Sequence, residues 1–348
     1  MHQTTELISE KYQDDGKPTH RSFTKVKATI KEIDNILRTR QPSVRKSHEK
    51  CPLCSGNNAV IFAKKTSEGL PVNRQICSNC GLVYLAEYLL PEFAEEFYSK
   101  FYYRLLYRGI SAESLFENRI STKAITWKRH QYVKEYLGKS YEDVKLVIEI
   151  GCNDGCNLYP YHLEGKTVIG CDFDEERINL GRQVGMTIHK GDVGVLLEKG
   201  YQADIVILSH VIDHLTHPLE ILKKIKTILT SKGILYIENP GIYCEGNLLG
   251  LSRFEFTYWF ELGTLQDLLD LGGFNLMLGD ETIRSIFVQN KDVTNLENGN
   301  NNGRTNRNKR AKDTLKYLKQ IETENLKTQS GMIGLLKKFY YYLKTISD

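Results

Sequence analysis

The sequence has no apolar run of the roughly 20 residues needed to cross a bilayer. Its first residues, MHQTTELISEKYQDDGKPTH, lack the apolar stretch of a signal peptide. A cytoplasmic location is therefore expected, and the eight cysteines are not read as a disulfide framework. A strong charge of one sign is missing too, since the 348 residues carry a net charge of only +4. That small excess is unevenly spread: +4 over residues 1–50, +6 over 291–348 and −6 between them. A nucleic-acid enzyme concentrates positive charge on its binding face, so the acidic middle weighs against that class. The basic flanks keep RNA open as a partner. No internal repeat is present.

What is there divides the chain by pattern. Residues 1–50 read as an extension with one helix over about 23–39, where Val26, Ile30, Ile33 and Leu37 recur at helical spacing before Pro42. Residues 51–90 hold paired cysteines, and 91–138 read as helices rich in Phe and Tyr. In 139–292, short apolar runs alternate with amphipathic stretches. Strands are expected at 145–150, 167–172, 203–209, 233–238, 275–279 and 285–290, with helices at 175–184 and 218–229. This alternation predicts an α/β fold, a parallel sheet with helices on both faces. Residues 293–310, rich in Asn, Gly and Arg, have little to bury and are expected to be a flexible linker. A helical tail is expected over 311–348. Met332, Leu335, Leu336, Phe339, Leu343 and Ile346 form its apolar stripe beside lysines, which suits docking on protein or on the inner face of an anionic membrane.

Val147-Ile-Glu-Ile-Gly-Cys-Asn-Asp-Gly-Cys-Asn-Leu158 runs an apolar strand into a glycine turn and then a helix. Gly151 and Gly155 let the backbone turn sharply and approach a ligand. The next strand ends at Asp172, placed to accept hydrogen bonds from ribose hydroxyls. A dinucleotide dehydrogenase requires G-x-G-x-x-G, whose second glycine is here Asn153.

Cys51-Pro-Leu-Cys54 and Cys77-Ser-Asn-Cys80 are two C-x-x-C pairs. Two such turns supply a tetrahedral four-thiolate site of the structural zinc type, with no position left for a catalytic water. Redox dithiols are the alternative.

Residues 145–290 resemble a class I S-adenosylmethionine methyltransferase. The resemblance implies a Rossmann-like sheet with S-adenosylmethionine as methyl donor. It places Glu149, Gly151, Asn153 and Gly155 in the loop around the methionine part, Asp172 on the ribose and Phe173 beside the adenine. It also places Asp192 and Val193 at the adenine amino group, and Ser209-His-Val-Ile-Asp-His-Leu-Thr-His-Pro218 at the end of the fourth strand. Lys232 before Gly233 departs from the family's usual double glycine. The Asn-Asp-Gly loop resembles that of sugar C-methyltransferases. A cysteine module ending Cys-Gly-Leu-Val-Tyr ahead of aromatic helices resembles sugar and glycan methyltransferases over residues 50–290. Zinc-containing ribosomal RNA guanine methyltransferases carry a more compact module.

Transfer to a hydroxyl or carbon needs a base, and His210 and His214 follow the fourth strand. Tyr258 is a further catalytic candidate, with Tyr243 and Glu255 as candidate substrate contacts. The His-Glu-His pattern of the sugar C-methyltransferases is missing, as is the Asn/Asp-Pro-Pro-aromatic segment of base N-methyltransferases. The expected acceptor is a small molecule or saccharide, such as a sugar nucleotide or glycan precursor. A zinc-containing RNA methyltransferase and a non-catalytic cofactor-binding scaffold are the alternatives.

Overall fold

A computed structural model describes the chain except residues 19–24, 41, 108–109, 244–252, 291–300 and 330–348. In chain order the elements begin with β1 (His2–Thr5), α1 (Lys27–Thr39), β2 (Arg45–Ser47), β3 (Asn58–Lys65), β4 (Pro71–Cys77), β5 (Val83–Leu85) and β6 (Glu87–Leu89). Four helices follow: α2 (Pro91–Phe97), α3 (Tyr103–Tyr107), α4 (Ala112–Ile120) and α5 (Ile125–Leu137). The alternating region is β7 (Leu146–Ile150), α6 (Tyr159–Leu163), β8 (Thr167–Asp172), α7 (Glu175–Gln183), β9 (Thr187–Lys190), α8 (Val193–Glu198), β10 (Ala203–Ser209), α9 (Pro218–Ile228) and β11 (Leu229–Glu238). It ends with β12 (Tyr258–Trp259), α10 (Leu262–Leu271), β13 (Phe274–Gly279), β14 (Arg284–Gln289) and the long helix α11 (Asn301–Gln329).

The large sheet has the order β13-β14-β11-β10-β7-β8-β9. Its five strands from β11 to β9 run parallel, and β14 is antiparallel to β11. Strand residues alternate between two cores. Ile148, Ile150, Val206, Leu208, Leu235 and Ile237 pack on α8, α9 and α10. Val147, Ile205, Ile207, Ile234 and Tyr236 pack on the side of α4 to α7. A strand buried on both faces reads as the unbroken apolar run seen in the sequence. The order reverses between β7 and β10, and a parallel sheet opens a crevice at the strand ends beside such a reversal.

The cysteine region is not a free-standing knuckle. It forms a second sheet of order β1-β3-β4-β5-β12, whose last strand comes from beyond β11. Cys51, Cys77, Cys80 and Tyr84 share one core with Ile148, Val206 and Leu235 of the large sheet.

The expected linker is corrected in part, because residues 301–310 are helical, the first ten of α11. The reason is tertiary. Arg310 pairs with Glu261 at 2.6 Å and with Asp267 at 2.9 Å. Ala311, Leu318 and Ile321 then bury against Phe62, Ile76, Val83 and Trp259. The apolar stripe from Met332 to Ile346 lies outside the described residues. Among those described, no helix is long and apolar enough to cross a membrane.

Candidate active site

The crevice at the strand ends holds a cavity of about 500 Å³. One end is built by the glycine loop. Gly151, Asn153 and Gly155 have φ of +66°, +56° and +77°, a left-handed run that carries the chain from β7 towards α6. A Cβ at Gly151 would stand 2.6 Å from Val211 Cγ2, and one at Gly155 2.8 Å from Met186 Cε. Asp172 locks this loop from the next strand. Its carboxylate accepts from the backbone N–H of Asn153 (2.8 Å), Phe173 (2.7 Å) and Asp174 (3.1 Å). About one of its four acceptor directions is left for a ligand hydroxyl. Burial raises the Asp172 carboxyl above its ordinary range, against those backbone donors. Glu149, at the end of β7, accepts at Oε1 from Asn157 Nδ2 (2.7 Å), while its buried Oε2 has no partner. Burial pushes its carboxyl up to about 8. An unpartnered buried carboxylate oxygen beside a ligand cavity suits a cationic or N–H donor group.

Arg129, on α5, ties the ends of β11 and β10 to the turn before α6. It donates to Glu238 Oε1 from Nε (3.1 Å) and Nη2 (2.8 Å), and to Asn157 Oδ1 from Nη1 (3.1 Å). Its Nη2 also lies 3.2 Å from His210 Nε2. Glu238 further accepts from Arg284 Nε (3.1 Å) and the Tyr236 hydroxyl (2.5 Å). Burial raises the Glu238 carboxyl, but the Arg129 guanidinium overrides it and holds the group well below the carboxylate range.

The other end carries Tyr98, Tyr102, His214, Arg253, Glu255 and Phe256. The Arg253 Nη2 pairs with Glu255 Oε1 at 2.6 Å, and its Nε lies 3.6 Å from Glu68 Oε1. Burial pushes Glu68 up to about 7. His214 meets the rings of Phe256, Tyr102 and Tyr98 at centroid distances of 5.1, 5.7 and 6.1 Å. Burial depresses His214 to about 3, with His210 and Arg253 adding to it. His210 opens onto the cavity, and the desolvation of its ring by the surrounding walls, with Arg129 adding to it, brings it to about 4. Both imidazoles are neutral near pH 7.

The fold thus gathers Glu149, Gly151, Asn153, Asp172, Phe173, Ser209, His210 and His214 around one cavity. Gly155 shapes the loop from behind. Asp192 and Val193 do not line the cavity. Asp192 is exposed and caps α8, accepting from Gly194 N at 2.8 Å, and Val193 is buried in the core. Tyr258, expected as a catalytic candidate, is placed elsewhere. It sits in β12, paired with β5, its hydroxyl donating to the Thr216 carbonyl at 3.0 Å. Tyr243 is likewise engaged away from the cavity, its hydroxyl 3.0 Å from Thr314 Oγ1. Glu255 does line it. Sequence reasoning missed Arg129, Asn157 and Arg253. Arg129 lies in Lys128-Arg129-His130, which reads as an ordinary solvated helix face.

The four cysteine sulfurs lie within 4.8 Å of one another, with Cys51–Cys80 at 3.7 Å and Cys54–Cys77 at 3.5 Å. Tetrahedral zinc with Zn–S near 2.3 Å needs S···S edges of about 3.8 Å. The thiols fit that ion closely, and no disulfide joins them.

Residues 127–278 match the family model described as a methyltransferase domain. The match begins ahead of residue 139 and takes in Arg129. No curated protein matches the chain. Among solved structures, a SAM-dependent methyltransferase from Archaeoglobus fulgidus is 23% identical over 47% of this chain and 74% of its own, with a TM-score of 0.39. Magnesium protoporphyrin IX methyltransferase from Synechocystis, with bound SAH, is 17% identical over 45% of this chain and 80% of its own, with a TM-score of 0.35. Likenesses this distant carry no argument of their own. With the family model on residues 127–278 and a glycine loop, an acid at the end of β8 and a switch-point cavity in place, those residues form a methyltransferase domain with S-adenosylmethionine as its donor, and the chain is an enzyme of methyl transfer.

Proposed function

We propose that the acceptor is a small polar molecule of the saccharide type, taken up whole into the cavity. The observation that supports this is the makeup of its far end. Tyrosine and phenylalanine rings stand beside the Arg253–Glu255 pair, and Glu255 Oε2 is buried without a partner. Sugar faces stack on aromatic rings, and sugar hydroxyls satisfy buried carboxylates. In this reading the glycine loop, Asp172 and Phe173 hold the adenosine, and Glu149 faces the methionine part. The methyl sulfonium is itself the electrophile. The chain's work is to align the acceptor oxygen behind the methyl group, exclude water and take one proton. Four cysteines hold zinc structurally, and the enzyme acts in the cytoplasm.

The test is incubation with S-adenosylmethionine labelled in the methyl group and cell extract split into nucleotide-sugar, glycan, RNA and protein pools. Label in the nucleotide-sugar or glycan pool is expected. Label confined to RNA would replace this reading with an RNA methyltransferase. Cofactor binding without label anywhere would replace it with a scaffold.

A further inference from the structure

His210 and His214 both line the cavity, and the residue pattern alone does not separate their roles. Arg129 does. A guanidinium has donors and no acceptor, and it does not lose its proton in proteins. The contact of Arg129 Nη2 with His210 Nε2 at 3.2 Å therefore runs one way: arginine donates and Nε2 accepts. That fixes the neutral ring with its proton on Nδ1. The Nε2 lone pair is spent on Arg129, so His210 has no free lone pair for a substrate proton.

The contact is rigidly supported. Arg129 is clamped by Glu238 at 2.8 Å and by Asn157 at 3.1 Å. The backbone N–H of His210 donates to the Glu238 carbonyl at 2.7 Å, and the residue is held at φ +54°. A non-glycine residue costs about 1–2 kcal/mol in that left-handed region. Strain of this kind persists where the surroundings dictate it and gathers at active sites. His214 has no such cation on its ring nitrogens. Its neighbours are Asp213, whose Oδ1 is 3.7 Å from Nε2, the rings of Tyr98, Tyr102 and Phe256, and the Arg253–Glu255 pair.

We propose that Arg129 commits His210 to the role of hydrogen-bond donor through Nδ1, towards an oxygen of the bound molecule, and that His214 takes the acceptor's proton. The proton leaves the acceptor hydroxyl for an imidazole nitrogen of His214 as the oxygen forms its bond to the methyl carbon. The methyl–sulfur bond breaks, and its electron pair stays on sulfur as the neutral thioether. The division of roles rests on methyl transfer to a hydroxyl, but its first test needs no acceptor.

That test is a long-range ¹H–¹⁵N spectrum of the imidazoles in the full chain with S-adenosylhomocysteine bound. His210 is expected as the neutral Nδ1–H tautomer at pH 7, and in Arg129→Gln it loses that fixed tautomer. An Nε2–H tautomer or an imidazolium at His210 would overturn the assignment, whatever the acceptor proves to be. With an acceptor from the labelled pool, His214→Gln is expected to lower kcat by at least about 100-fold, within the range for loss of a general base. Its affinity for S-adenosylhomocysteine, measured by calorimetry, stays within about 3-fold, which shows that it folds. His210→Gln keeps a donor and is expected chiefly to raise KM. A larger loss of kcat in His210→Gln than in His214→Gln would also overturn the proposal.

Discussion

The two ends of the cavity are built by opposite means. The glycine-loop end is local: Glu149 to Asn157 and Asp172 to Asp174 lie within 26 residues and bond mainly through backbone groups. The aromatic end draws Tyr98 and Tyr102 from the helices ahead of the domain, His214 from beyond β10, and Arg253 and Glu255 from beyond β11. It is held by side-chain charge. Backbone clamps leave a recurring loop that one ligand can use in many proteins. Side-chain assemblies from distant segments can be rebuilt for each acceptor.

The zinc site is the sharpest challenge to treating the ends apart, because its cysteines share a core with the large sheet. Structural zinc contributes on the order of 10 kcal/mol to the unit that binds it. Cys80→Ser or exhaustive chelation is expected to remove one zinc per chain, read by elemental analysis, and to collapse thermal unfolding to a much lower midpoint. If cofactor affinity survives unchanged in the zinc-free protein, the module and the domain are independent after all.

Arg253→Met comes next. It takes the nearest cation from two buried carboxyls, Glu68 and Glu255, leaving them only Arg74, and removal of one partner of a buried pair costs about 3–5 kcal/mol. Chemical denaturation should show that loss, with cofactor affinity nearly intact at low denaturant. Asp172→Ala should do the reverse for binding. Loss of the one charge-assisted hydrogen bond left to a ligand is worth roughly 1.5–3 kcal/mol, or about 10- to 150-fold in affinity for S-adenosylhomocysteine. Undiminished affinity by calorimetry would remove Asp172 from the ribose side and undo the contrast.

The smallest effect is in pH. Burial holds Glu149 at about 8, above the ordinary 4.5, so the folded state keeps a proton that the unfolded chain releases. Its contribution is full below about 4.5 and is lost as pH rises towards 8, at up to about 1.4 kcal/mol per unit. His210 and His214, depressed to about 4 and 3, act in the opposite sense as pH falls below 6.5. Denaturation of the ligand-free protein between pH 6 and 8 should therefore show a decline that Glu149→Gln flattens. An unchanged slope in that variant would place the carboxylate in contact with water.

The alternation of apolar runs made six of the seven strands of the large sheet legible; β8 and β10 match their expected bounds, while β11 begins at Leu229, four residues ahead of its expected start. The short β9 was not singled out, since four residues carry little periodicity. The sheet behind the cysteines was also missed, because β12 joins β5 across some 170 residues. Tyr258 shows the same limit. Its aromatic neighbourhood pointed to a substrate contact, but β-pairing turned its hydroxyl to the Thr216 carbonyl. By itself the sequence determined the glycine loop after β7 and the cluster of four thiols, because each is encoded by spacing within one turn or two. Only the tertiary structure decided that Arg129 reaches His210, that Arg253 and Glu255 close the far end, and that α11 straps the cysteine sheet. Those contacts join segments whose meeting depends on burial summed over the whole core, which local spacing does not record.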